Sequence, residues 1–226
     1  MDKFRQRINR KQMNHFKLIL NLQEIINYVY DAGTDSCDYY GGRFDGGYFV
    51  QQNPEEFAEL IYYLQQTKKI FKNYLEIGSA AGGATRILHE LLPIKNIIII
   101  DDNQHPLHVH RSQNLNRIPH KEFIGNSHNV EAAAWLKSLK IKFDLIFIDG
   151  DHSYAGVKAD TDLVLPFMEK GGLVLFHDSF CFNSISSLIK ELKNDRRLSF
   201  LKEWDIAKVA CTNGDNKKLG LSLFTI

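Results

Sequence analysis

The chain is short of the features that mark several protein classes. It has three cysteines in 226 residues, Cys37, Cys181 and Cys211. Their number is odd, their spacing wide, and no Cys-x-x-Cys occurs, which suits thiols in a reducing compartment rather than a disulfide framework. No apolar run reaches the roughly 18 residues that a membrane span needs. The start is basic, but no clean apolar segment with a small-residue cleavage site follows it. The expectation is a soluble, cytoplasmic protein with no membrane partner. Neither charge sign dominates: 28 lysines and arginines face 27 acids, a net of +1. That excludes a general polyanion-binding field, and nucleic acid is not an expected partner. The one local excess is Lys3, Arg5, Arg7, Arg10, Lys11 and Lys17 against Asp2, a solvated arm or a contact for an anionic partner. Internal repeats, low-complexity segments and a good domain boundary are also lacking.

What is present is an alternation of apolar runs and helical patterns. Its most informative stretch spans residues 143–179. The runs Phe143–Ile148 and Leu173–Phe176 each end abruptly in acid and imidazole groups: Asp149, Asp151 and His152 after the first, His177 and Asp178 after the second. Polar groups at the carboxyl ends of buried parallel strands form the usual active edge of an open α/β sheet.

The rest of the chain extends this pattern. Residues 1–30 suggest short helices packed on the body, and residues 31–52 read as a Gly-, Asp- and Tyr-rich loop, a plausible lid with Tyr39, Tyr40 and Tyr48. Asn53-Pro54-Glu55-Glu56 starts a helix to about Gln66: a cap, a proline at the first position, then acids at the positive end. Strands are expected over Asn73–Ile77, Asn96–Ile100, Glu122–Ile124, Phe143–Ile148 and Leu173–Phe176. Helices are expected up to Leu92, around Leu107–Asn116 and Val130–Leu139, and over Tyr154–Met168 and Asn183–Asp195. Trp204–Ala210 and Gly220–Ile226, joined by the turn-rich Thr212–Lys218, look like an antiparallel edge pair. The fold expected is α/β: a Rossmann-like, doubly wound sheet of about seven strands, mostly parallel, with an antiparallel C-terminal edge. Residues 1–70 form an N-terminal helical cap and lid segment, and 71–226 the ligand-binding domain.

Between the first strand and its helix stands Glu76-Ile77-Gly78-Ser79-Ala80-Ala81-Gly82-Gly83. Gly78 lets the chain turn off the strand, and Gly82 and Gly83 let backbone approach a ligand. A nicotinamide loop would read GxGxxG. Here the third loop position is Ala80, and Glu76 disfavours a pyrophosphate, which makes a dehydrogenase unlikely on these residues. An acid there suits a ligand carrying positive charge or hydroxyl and amine donors.

These residues resemble the class I S-adenosylmethionine-dependent methyltransferases. The EIGSAAGG loop is similar to the EIGxxxGG form of O-methyltransferases. IDGDHSYAGVKAD and LVLPFMEKGGLVLFHD resemble a bacterial branch that includes cephalosporin hydroxylase-like proteins and macrolide and aminocoumarin sugar O-methyltransferases. The resemblance covers about residues 70–226. It implies S-adenosylmethionine as cofactor, with Gly78, Ser79 and Gly82 along its methionine and ribose part and Glu76 orienting the loop or meeting the amino-acid end. It implies Asp101 as acceptor for the ribose hydroxyls, with Asp102 as fallback. Where relatives have Gly-Asp-Ser facing the adenine amino group, this chain has Gly125-Asn126-Ser127, and Asn126 can still accept through its amide oxygen. Asp149 borders the cofactor as well as the acid–imidazole edge.

Asp149 and Asp178 end neighbouring strands, about 4.8 Å apart in a sheet, so both can reach one cation. Metal-dependent relatives use an acid matching Asp149 and an acidic pair after the fifth strand. Here that pair is His177-Asp178. The expected ligands are therefore Asp149, His177 and Asp178 around a divalent ion, Mg²⁺ or Mn²⁺, the imidazole moving preference away from Mg²⁺. Asp151 matches the general base of the sugar methyltransferases. His152 competes for that role, since an ordinary imidazole pKa near ~6.5 suits proton removal at neutral pH. Asp160 and Asp162 are expected on a helix surface. His105, His108 and His110 do not share one helical face and are expected to be solvated or to flank the cofactor. The function expected is O-methylation of a small molecule. The alternatives are a metal-independent N- or O-methyltransferase, and a cofactor-binding protein without turnover. A homo-oligomer is compatible with either.

Overall fold

A computed structural model of the chain describes residues 20–33, 47–205, 208–210 and 216–226. The basic segment Lys3–Lys17, Cys37, Tyr39, Tyr40 and Cys211 lie outside the described residues. Among the described residues, two helices precede the sheet, α1 (Leu22–Ala32) and α2 (Pro54–Gln66). Asn21 and Glu24 close a reciprocal capping box on α1. The Asn53 side chain accepts from the backbone N–H of Glu55 and Glu56, with Pro54 at the first position of α2. These bonds satisfy donors that a helix start leaves orphaned.

Alternation then sets in: β1 (Phe71–Ile77), α3 (Gly83–Leu91), β2 (Ile94–Asp101), α4 (Arg111–Asn114), β3 (His120–Ile124), α5 (Val130–Ser138), β4 (Phe143–Ile148), α6 (Tyr154–Val164), β5 (Met168–Phe176) and α7 (Asn183–Leu192). The tail adds β6 (Ser199–Trp204), β7 (Lys208–Ala210), β8 (Asn216–Lys218) and β9 (Leu221–Thr225). Seven strands form one sheet in the order β3-β2-β1-β4-β5-β9-β6, and β7 pairs with β8 apart from it. β1 to β5 run parallel, and β9 is antiparallel to both β5 and β6. This is the Rossmann-like, doubly wound sheet expected, with its antiparallel edge.

Period-2 side-chain alternation splits the apolar residues into two cores. Ile97, Ile99, Leu145, Phe147, Leu173 and Leu175 face one side, with α1, α2 and α3. Ile98, Ile100, Ile146, Ile148, Val174 and Phe176 face the other, with α5, α6 and α7. The N-terminal helices are thus one covering layer of the sheet and share its core.

Three elements differ from expectation. The helix expected at Leu107–Asn116 is a 3₁₀ segment, Pro106–His110, followed by the single turn α4. His105 caps it and Pro106 sets its first turn, while Arg111 is pulled into a buried pair with Asp101 and Asn114 donates to the carbonyl oxygens of Tyr48 and Ala81. The helix expected to reach Met168 stops at Val164 and passes into a 3₁₀ turn, Leu165–Phe167, because Pro166 has no N–H to continue the α-helical ladder. Met168 already pairs with Phe143, so β5 begins before Gly171-Gly172, with a register irregularity there. At the tail, the strand pairing with β9 is Ser199–Trp204; Lys208–Ala210 pairs with Asn216–Lys218, inside the expected turn.

Candidate active site

The carboxyl ends of β1, β2, β4 and β5 border one cleft of about 400 Å³. β1 leaves the sheet at Gly78, whose φ is +80°. A Cβ on Gly78 would stand 2.1 Å from the carbonyl oxygen of Asp149, so only glycine fits. Gly82, at φ +74°, opens α3. Glu76 lies buried beneath this loop and accepts from the hydroxyls of Ser79 and Thr85. Burial, with the nearby charge of Asp149, pushes its carboxyl up to about 8.

Asp101, at the end of β2, is almost fully committed. One oxygen accepts from Ser79 N at 2.8 Å and Ala80 N at 2.9 Å. The other accepts from Asn103 N at 2.8 Å and pairs with Arg111 Nη1 at 2.9 Å. Burial alone would raise its pKa; the Arg111 guanidinium and these N–H groups outweigh it and hold the carboxyl below its ordinary value. A carboxylate has about four acceptor positions, and all four are filled. Asp102 is exposed, borders the cleft and accepts from Gln104 N at 3.0 Å. Asp101 is thus spent on the glycine loop and Arg111, while Asp102 keeps acceptor positions toward the cleft.

Past β3, Gly125, Asn126, Ser127 and His128 line the next part of the cleft. The Asn126 amide oxygen accepts from His128 N at 2.8 Å. The Ser127 hydroxyl donates to Asp160 at 2.6 Å. Asp160, expected on the surface of α6, is completely buried. Its neighbours on that face are Gly156, Val157, Thr161 and Val164. That helical spacing, read on its own, placed it inward. Asp162 is exposed, as expected.

At the centre, four ionisable groups converge. Asp149 and His177 each follow by one residue the paired Ile148 and Phe176, which puts them side by side. His177 Nδ1 lies 3.0 Å from Asp149 Oδ1 and 3.4 Å from Asp178 Oδ2. His152 Nε2 lies 3.4 Å from Asp178 Oδ2 and 3.9 Å from Asp149 Oδ1. Burial would lower the His177 pKa, but the charges of Asp149 and Asp178 carry it well above its ordinary value. Burial likewise opposes ionisation of Asp149, and His177 and His152 overcome it, leaving that carboxyl below its ordinary value. The pKa of His152 is raised by the neighbouring Asp149 carboxylate, against partial burial. Among the described residues, the compact set that could hold a metal is Asp149, His152 and Asp178, with ligand atoms within 4.8 Å of one another. This set has His152 where His177 was expected, although the buried His177 Nδ1 lies nearer to Asp149. Among the described residues, the buried Asp178 Oδ1 has no hydrogen-bond partner, and neither does the buried His177 Nδ1 despite its near contacts. Orphaned donor atoms of this kind, in a mixed carboxylate–imidazole set, fit a small divalent cation.

Asp151 lines the same cleft but is engaged locally. Its two oxygens accept from the backbone N–H and the hydroxyl of Ser153, at 2.8 and 3.0 Å. His105, His108 and His110 do not gather: His105 approaches Gln51 Nε2 at 3.3 Å, His108 its neighbour's carbonyl, and His110 stacks on Phe49. Two contributors were missed in the sequence. Gln52 is buried and donates to Asp149 Oδ2 at 3.1 Å. Phe182 stacks on His152 with ring centroids 4.7 Å apart. Neither belongs to a motif, so nothing local announces them.

Residues 75–179 match a family described as a methyltransferase domain. An uncharacterized protein of Acanthamoeba polyphaga mimivirus is 31% identical over 119 residues, 46% of this chain and 50% of that one. The chain thus spans about half the length of the curated relative it matches. The O-methyltransferase of Bacillus cereus, in complex with S-adenosylhomocysteine, superimposes with a TM-score of 0.60 at 16% identity, over 91% of this chain and 90% of that one. TomG of Streptomyces achromogenes, an O-methyltransferase of tomaymycin synthesis in complex with S-adenosylmethionine, gives 0.56 at 14% identity, over 100% and 99%. The N-methyltransferase NodS of Bradyrhizobium japonicum gives 0.53 at 18% identity, over 76% and 86%. At such identities the likeness is one of fold, and the fold does not choose the acceptor atom.

Proposed function

We propose that the protein moves a methyl group from S-adenosylmethionine to a hydroxyl of a small molecule, with a divalent cation at the strand ends; the match of residues 75–179 to a methyltransferase-domain family and a fold shared with solved methyltransferases support this. One observation carries the reading: the glycine loop and the acid–imidazole group open into the same cleft, joined through Asp149. Asp149 packs its backbone against Gly78 and offers its side chain to the cluster.

When bound, the cofactor supplies a methyl group on a positively charged sulfur. The chain's own part is to hold and align. Gly78 and Gly82 keep the loop open to close approach, and Ser79 lies over the buried Glu76. Asp102 takes the ribose hydroxyls, and Asn126 with Ser127 borders the purine. Asp149, Asp178 and an imidazole, His152 or His177, would hold the cation, which supplies Lewis-acid stabilisation of an alkoxide. Proton removal falls to His152 Nε2 when that atom is not a ligand. With His152 on the metal it falls to Asp151, which must first release Ser153. Holding acceptor and donor in line in a cleft that excludes water supplies much of the rate.

No lysine or arginine among the described residues lines the cleft, which supports a small neutral or cationic acceptor over a polyanion. The cysteine pattern supports a reducing, cytoplasmic setting. A metal-independent reaction is the second reading. It is favoured by the pairing already present, since His177 and His152 neutralise Asp149 and Asp178 without an ion.

Calorimetric titration with S-adenosylmethionine and S-adenosylhomocysteine, with and without Mg²⁺ or Mn²⁺, tests the proposal. Both ligands are expected to bind. Binding of neither under any condition overturns it.

A further inference from the structure

Asp160 is a carboxylate in the middle of α6, completely buried on a face shared with Val157 and Val164. One of its oxygens, Oδ2, has no hydrogen-bond partner among the described residues. Such a group costs stability, and an apolar residue of the same size would remove that cost. Its side-chain partners come from another segment, the turn after β3. The Ser127 hydroxyl donates to Oδ1 at 2.6 Å, and His128 Nε2 lies 3.3 Å from the same atom. His128 in turn donates its backbone N–H to the Asn126 side chain at 2.8 Å. A chain of contacts therefore runs from the helix interior to the one residue of that turn whose side-chain amide meets the cleft. On the other side, Gly150 closes against Oδ2: a Cβ there would stand 3.3 Å away.

The charged and titratable groups facing Asp160 are His128 and Asp151. Burial lifts the Asp160 carboxyl to about 6; Ser127 and His128 draw it down, and Asp151 adds to the rise.

We propose that Asp160 is the positioning residue of the purine subsite, fixing the Gly125–His128 turn through Ser127 and His128 so that Asn126 reads the edge of the base. This rests on the cofactor assignment above. It adds a specific task for a residue that touches no ligand itself: discrimination of a 6-amino purine from a 6-oxo purine.

Calorimetry with two probes, S-adenosylhomocysteine and its inosine analogue, tests it. The wild-type protein is expected to prefer the adenine ligand. Asp160→Leu is expected to raise the dissociation constant of S-adenosylhomocysteine about tenfold and to bring the preference near one. Asp160→Asn keeps an acceptor at Oδ1 and is expected to stay within threefold of wild type. Should Asp160→Leu fail to fold, Ser127→Ala, which removes one link of the chain, must show the same loss of preference. An unchanged preference in the folded variants overturns the positioning role. So does an equal loss for both probes that Asp160→Asn does not rescue. Failure of the wild-type protein to bind either probe overturns the cofactor assignment instead.

Discussion

The side-chain amide of Gln52 donates to Oδ2 of Asp149 across 3.1 Å, joining residues 97 positions apart in the chain. The contact fixes which oxygen of Asp149 remains for the cluster. Gln52→Leu is expected to lower Mn²⁺ affinity about tenfold, with S-adenosylhomocysteine affinity changed less than threefold. Titration of each ligand separately checks this, and parallel losses of both would sink the idea.

Gly78 tolerates no side chain. Gly78→Ala must either move the Asp149 carbonyl or abandon φ +80°. A cost of about 2–4 kcal/mol in denaturant unfolding is expected, together with loss of cofactor binding. A change below about 0.5 kcal/mol would show that the loop relaxes freely.

Glu76 predicts a pH dependence of stability. Its carboxyl rises from 4.5 to about 8 on folding. Between those values the folded chain holds a proton that the unfolded chain has released. Stability therefore falls as pH rises through that window and levels off above it. Glu76→Gln removes this loss. Its melting temperature relative to wild type is expected to be at least about 4 °C more favourable at pH 8 than at pH 4.5. Equal differences at both pH values would refute the buried, protonated Glu76.

Two adjacent acids should separate cleanly. Asp102→Ala is expected to weaken S-adenosylhomocysteine about tenfold with an unchanged melting temperature, since Asp102 is exposed. Asp101→Ala leaves the buried Arg111 without its 2.9 Å partner, a loss of about 3 kcal/mol. Thermal unfolding and ligand titration of both variants check the pair. A stable Asp101→Ala protein that alone loses ligand would return the ribose to Asp101.

Chelation tests the ion. With any acceptor the wild-type protein methylates, removal of divalent metal is expected to slow transfer at least about 100-fold, with recovery on adding Mn²⁺. A chelator-insensitive rate would establish the metal-independent reading.

The strands that end in chemistry were legible because each is a continuous apolar run stopped by charge, Phe143–Ile148 followed by Asp149 being the plainest case. The glycine loop was legible because its geometry demands a residue type. The start of β5 was not, because Gly171-Gly172 has turn composition and only pairing with β4 keeps it extended. Asp160 was misread because its charge was weighed above its place on the apolar face. Asp151 was read as a base from its position in a motif, while its bonds to Ser153 are a matter of local geometry. Gln52 was out of reach, since its partner is brought near only by the folding of the whole sheet.

The packing of Gly78 on the main chain of Asp149 has a bearing on how the protein could diversify. In the proposed function, donor side and acceptor side share this one close backbone contact, so a library of variants that randomises Asp149 or its loop is expected to yield mostly inactive clones. New acceptor preferences are expected to arise from residues that can be changed without disturbing that joint, Phe49 and Gln51 on the cleft wall and Phe182 stacked on His152. The catalytic floor stays constant while the rim is free to drift.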